Sequence, residues 1–220
     1  MKSMIIKFLK IIIVLTLFIS TSKADQLNVF EFTEQELTNL KVRKVRNAKA
    51  NTSYSIGKND NGNYIKAVAE SSASGLGKEL EINLNLTPII NITWKVEKDL
   101  SGIDEQTKKG HDYAARVFVI KKTGATPLSN RAINYVFSSN LNIDHNNPSP
   151  YTKKSIDYVL STTKENFNEW VTVKANVKHH FKKLHNLDVN ELNGIAIMSD
   201  TDNSGKKSVA YYQNIYFSSE

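Results

Sequence analysis

The feature that most limits the fold is a succession of short runs in which apolar and polar residues alternate. "NYIKAVAE" (Asn63 to Glu70) is the first. "LEINLNL" (Leu80 to Leu86) is the second, with Leu80, Ile82, Leu84 and Leu86 on one side. "IINITWKV" (Ile89 to Val96), "DYAARVFVI" (Asp112 to Ile120), "AINYVFSS" (Ala132 to Ser139), "NGIAIMS" (Asn193 to Ser199) and "VAYYQNIYF" (Val209 to Phe217) follow. A period of two, rich in Ile, Val, Tyr and Phe, specifies half-buried strands. No repeat or Pro/Gly-rich linker separates these runs. They predict a mainly β chain, an antiparallel sandwich resembling a jelly roll, as one domain over residues 25–220.

One segment follows a different period. "NFNEWVTVKANVKHHFKKLHN" places Trp170, Val173, Val177, Phe181 and Leu184 three or four residues apart. That spacing predicts one late amphipathic helix, its apolar stripe on the sandwich and its lysines outward.

The N-terminus carries an address. Lys2, Lys7 and Lys10 precede or interrupt a short apolar stretch that ends in "IIIVLTLFI", and Ser22 and Ala24 then form a small-residue cleavage site. Residues 1–24 are expected to be a signal peptide, with no stable membrane insertion after cleavage and a periplasmic or secreted destination. Four lysines leave with it, so the chain's charge falls from +7 to +3. So small a charge gives no reason to expect nucleic acid as a partner. A monomer is expected. The chain has no cysteine, so an exported fold must rely on its core, helped at most by a bound ion.

Candidate chemistry concentrates in two places. "SDTDNSG" (Ser199 to Gly205) aligns Asp200, Asp202 and Ser204 with the first, third and fifth ligands of a calcium loop, and Gly205 with its turn. Tyr211 falls where a bidentate carboxylate would be needed, so half of the pattern is present. The same residues also make an ordinary polar hairpin between the last two strands. Possible Ca²⁺ ligands are therefore Asp200, Asp202 and Ser204, in a structural role. In "KKGHDYAARVFVI", Arg116 lies between Ala114 and Phe118, and a buried guanidinium there requires an aspartate: Asp112, Asp200 or Asp202. Asp112, Arg116 and Tyr135 are the candidate ligand-binding residues. The five histidines are expected to face solvent. No zinc-protease helix and no nucleophile elbow is present.

Taken in order, "TWKVEKDL", "KKGHDYAARVFV", "NYVFSS", the segment opening at Trp170 and "GIAIMSDTDNSG" resemble a bacterial exported family, domain of unknown function 3047. The similarity spans Ala67 to Phe217. The chain differs from the family pattern at His111, where an acidic residue is usual, and at Phe137, where Trp is usual. The family implies no activity. The layout also looks like that of carbohydrate-binding β-sandwiches, by analogy of fold. The expected function is an exported, non-catalytic module that binds a glycan or another cell-envelope component. A hydrolase of such a polymer, using Asp112 with Asp200 or Asp202, is the alternative. A structural envelope protein is the third possibility.

Overall fold

The computed structural model describes residues 26–220; the expected signal peptide and cleavage site lie outside them. Two large sheets face each other. The first runs β12 (Val171–Asn176), β7 (Ile89–Lys98), β15 (Lys207–Ser218), β4 (Gly62–Glu70), β3 (Ser53–Asn59), with β1 (Gln26–Asn28) beside β15. The second runs β10 (Asn146–Ser149), β11 (Thr152–Thr162), β9 (Arg131–Ser138), β8 (Ala115–Lys121), β14 (Gly194–Asp200), β5 (Ala73–Lys78), β2 (Lys41–Lys44). A small ribbon pairs β6 (Ile82–Asn83) with β13 (Glu191–Leu192).

The alternating runs become strands for the expected reason. Ile90, Ile92, Trp94 and Val96 of β7, with Ile65, Ala67, Ala210 and Tyr212, meet Val117, Val119, Ile133, Tyr135, Ile195 and Ile197 of the second sheet in one core. All are essentially inaccessible to solvent. Trp94 Nε1 donates to Ser161 Oγ across that core at 2.9 Å, so its polar end is satisfied where it is buried.

The structure departs from expectation in four places. The segment from Trp170 is half strand: β12 pairs antiparallel with β7, and only Val177–His185 forms a helix, α3. Val171, Val173 and Ala175 satisfy a period of two as well as they satisfy a helical one. The open edge of β7 decides between them. Asn176 then caps α3, its side chain accepting from His179 N, and Val177 and Phe181 are buried four residues apart. "LEINLNL" pairs only at Ile82–Asn83, because Asn83 bonds Asn85 N and its carbonyl takes Leu86 N and Thr87 N in a turn. The sandwich is not wholly antiparallel, since β9 and β11 run parallel. Lastly, "SDTDNSG" is no hairpin. β14 and β15 belong to different sheets, and the loop carries the chain from one to the other. Two further helices, α1 (Glu34–Asn39) and α2 (Thr163–Asn166), are short.

Candidate functional site

Asp112, Arg116, Asp200 and Asp202, singled out by sequence, meet on the outer side of the second sheet, under the segment that precedes β8. Arg116 is 2% exposed. Its Nε and Nη2 donate to Asp200 Oδ1 and Oδ2 at 2.8 and 2.5 Å, a bidentate pair. Nη2 also donates to the His111 carbonyl at 2.7 Å, and the guanidinium lies 4.5 Å from the Tyr113 ring centroid. Of the three candidate aspartates, Asp200 is thus the partner. Asp112 does different work. It accepts from Asn203 N and Nδ2 and from Ser204 N, and so ties down the inter-sheet loop.

The cluster is larger than its sequence outline. Asp157 on β11 accepts from Asn134 Nδ2 at 2.7 Å and pairs with His111 Nε2 at 2.7 Å. His111 is therefore buried, contrary to the solvent-facing expectation. Glu105 is buried nearby, accepting from Ser139 N and the Ser138 hydroxyl. Burial pushes the Asp200 carboxyl up to about 7, opposed by Arg116 and reinforced by Asp112. Burial likewise raises Glu105 and Asp202, and lowers His111 against the pull of Asp157.

Oxygens of Asp112, Asp200 and Asp202 lie within 4.8 Å of one another, and Asp202 Oδ1 is buried without a hydrogen-bond partner among the described residues. Ser204, expected as the third ligand, lies beside Asp112 in the same loop. Its hydroxyl accepts from Lys206 N while its amide serves Asp112. Tyr135 stands apart from these residues: it points into the core between the sheets, fully buried, with its hydroxyl 3.1 Å from His180 Nδ1. Asp112, Arg116 and Tyr135 therefore present no surface to a polymer.

A surface with that capacity lies on the outer face of the first sheet. Tyr64 of β4, Tyr211 of β15 and Trp170, just before β12, form a mutual aromatic trio with centroids 5.6–5.9 Å apart. Tyr64 and Trp170 are partly exposed. Lys66 and Lys95 flank the Tyr211 ring, whose hydroxyl donates to Glu97 at 2.6 Å. Register places Thr172, Thr93 and Gln213 in the adjacent row across β12, β7 and β15. There a cleft of about 450 Å³ opens, lined by Asn28, Glu31, Asn63, Thr93, Thr172 and Asn214 among others. Asn214 adopts φ 48° in a bulge of β15, which breaks the pairing with β7 beside the cleft. Rings and hydroxyl, amide and carboxylate groups thus share one face. Sequence reasoning missed Tyr64, Thr93 and Thr172. The signal was parity: Tyr64 and Tyr211 occupy the outward positions of runs whose inward positions are Ile65, Ala67, Ala210 and Tyr212.

The family model described as "Protein of unknown function (DUF3047)" matches residues 38–216. The chain belongs to the DUF3047 family. No curated protein matches it. Among solved structures, the family 30 carbohydrate-binding module of a cellulosomal cellulase of Clostridium thermocellum is similar at a TM-score of 0.51 and 7% identity, over 89% of this chain and 98% of that one. The family 11 carbohydrate-binding module of another cellulosomal cellulase of that organism gives 0.48 and 12%, over 89% and 94%. The xyloglucanase domain of a type three effector from Sinorhizobium fredii, in complex with cellobiose, gives 0.41 and 10%, over 76% and 92%. At 7% identity the likeness to the family 30 module is one of fold, and it agrees with the two facing sheets of this DUF3047 protein's β-sandwich.

Proposed function

We propose that this DUF3047 protein is an exported, non-catalytic glycan-binding module whose ligand lies across the outer face of the β12-β7-β15-β4-β3 sheet. The observation that carries this reading is the Tyr64–Trp170–Tyr211 trio beside the Thr93–Thr172 cleft. A sugar ring has an apolar face that stacks on an aromatic ring and a rim of hydroxyls that bonds amides and carboxylates. This face offers both. The fold shared with a carbohydrate-binding module supports the reading. A glycan-array screen of the purified protein, followed by pull-down on the best polysaccharide, tests it. Retention lost in Trp170→Ala with unchanged folding is expected. An array without any binder, or full retention by Trp170→Ala, would overturn it.

The hydrolase alternative has weaker support. Two catalytic carboxylates must face one bond about 5–10 Å apart. Asp112 and Asp200 are 0% and 2% exposed, and their oxygens are engaged by loop amides and by Arg116. Export remains part of the proposal, and mass spectrometry of the exported protein should find Asp25 at its N-terminus.

We also infer a structural role for a hard divalent cation such as Ca²⁺, held by Asp112, Asp200 and Asp202. The three carboxylates bring oxygens within 4.8 Å of one another. Asp202 Oδ1 has no donor to satisfy it among the described residues.

A further inference from the structure

The outer face of the second sheet carries a concavity of different chemistry. Strand β5 reads Ala73-Ser74-Gly75-Leu76-Gly77-Lys78. Leu76 points into the core, so Gly75 and Gly77 face outward. Register sets Gly75 between Arg43 and Met198, and Gly77 between Lys41 and Ala196. The missing side chains leave a trough along β5. A Cβ at Gly77 would lie 3.0 Å from that of Ala196, which shows how closely the neighbouring strand approaches. Phe118 and Ile120 of β8 extend the floor, and the segment from Lys122 to Asn130 forms the far wall. The space measures about 600 Å³, and apolar atoms dominate its lining.

One end is cationic. Glu79 accepts Lys41 Nζ at 3.2 Å and Lys122 Nζ at 3.1 Å, and Arg43 Nη2 stands 3.9 Å away. Three exposed cations converge there on one carboxylate, and Lys44 lines the same groove. Asn130 in the wall keeps a buried side-chain oxygen without a partner among the described residues. A sugar would find little to bind on this floor, which is built from Gly, Ala, Met, Ile and Phe. An apolar chain ending in an anion matches both halves.

We propose that this trough binds a long-chain carboxylate, its alkyl chain along the Gly75–Gly77 floor and its head between Arg43 and Lys122. The site is independent of the glycan reading and lies on the opposite sheet. Purified protein should be titrated calorimetrically with octanoate, decanoate and dodecanoate. Affinity should rise about fourfold per added methylene until the trough is filled. Dodecanol, with the same chain and no charge, should bind at least tenfold more weakly. The double variant Arg43→Glu, Lys122→Glu changes only exposed side chains. It should keep its circular dichroism spectrum and lose at least tenfold in dodecanoate affinity, while Tyr64→Ala should bind dodecanoate normally. The proposal is overturned by absence of saturable dodecanoate binding, by affinity independent of chain length, by equal binding of dodecanol, or by an unchanged double variant. Binding to anionic vesicles without binding of monomeric dodecanoate also overturns it.

Discussion

Tyr64 lies across Gly57, its register partner on the neighbouring edge strand β3: a Cβ at residue 57 would stand 2.5 Å from Tyr64 Cε2 and from its hydroxyl oxygen. The glycine is what lets the ring lie flat against the sheet, and the ring in turn covers a position without a side chain. Gly57→Ala should therefore push the free end of Tyr64 outward at little cost, because a side-chain tip yields more readily than backbone. The expected result is a melting temperature within a few degrees of the parent and glycan affinity reduced about tenfold. Unchanged affinity would show that the trio is only packing.

Arg116 and Asp200 are buried and bidentate. Arg116→Met leaves Asp200 and Asp157 in the interior without their cation. Breaking a buried pair from one side costs about 3–5 kcal/mol. Denaturant unfolding should show a loss of that size, and a loss within 1 kcal/mol would refute the pairing as a stabilising element.

If the acidic cluster holds Ca²⁺, its addition should raise the melting temperature and EDTA should lower it. At 100 times the dissociation constant the gain is about 2.7 kcal/mol. The informative variant is Asp202→Asn, because replacing Asp200 would also strand Arg116. In Asp202→Asn the response to Ca²⁺ should vanish while stability in EDTA is kept or improved. Melting curves indifferent to both reagents in the parent protein would remove the ion.

His180 gives a pH dependence of defined sign. Burial, His179 and Lys183 hold its imidazole down at about 4, with Asp144 opposing. It stacks on Tyr158 with ring centroids 4.4 Å apart and meets the Tyr135 hydroxyl through Nδ1. The unfolded chain takes up a proton near pH 6.5 that the folded chain resists. The stability is thus fully present above about 6.5 and is lost as pH falls towards 4, by no more than about 2–3 kcal/mol once solvent screening of the partly exposed ring is taken off the full linkage value. His180→Phe should flatten that part of the stability profile. An identical profile in the variant would show that other groups set it.

Arg116 could be singled out from sequence because a cation between Ala114 and Phe118 in an apolar run has no solvent to face. Its partner could not be assigned, since Asp200 lies 84 residues away and three aspartates fit equally well. Asp157 left no local trace. Ile156 to Thr162 is buried on both faces, so the run does not alternate and does not announce a strand. His111 is a loop residue, and only the folded course of that loop buries it against Asp157. The role of Asp112 depends on two backbone amides, Asn203 N and Ser204 N, more than 90 residues away in the chain.

By itself, the sequence determined that this chain is a β-sandwich, which inward residues build its core, and that one arginine is buried. Alternation is a local property, since a strand must bury every second side chain whatever its neighbours are. Tertiary structure decided what lies side by side. Tyr64 and Tyr211 lie 147 residues apart with Trp170 between them, yet the order β12-β7-β15-β4 brings all three onto one face. Strand order also turned Val171–Asn176 from a candidate helix into a strand, because the unpaired edge of β7 offered backbone hydrogen bonds to a segment whose apolar residues suited either period. Strand order depends on long-range pairing energies, and no window of sequence contains them.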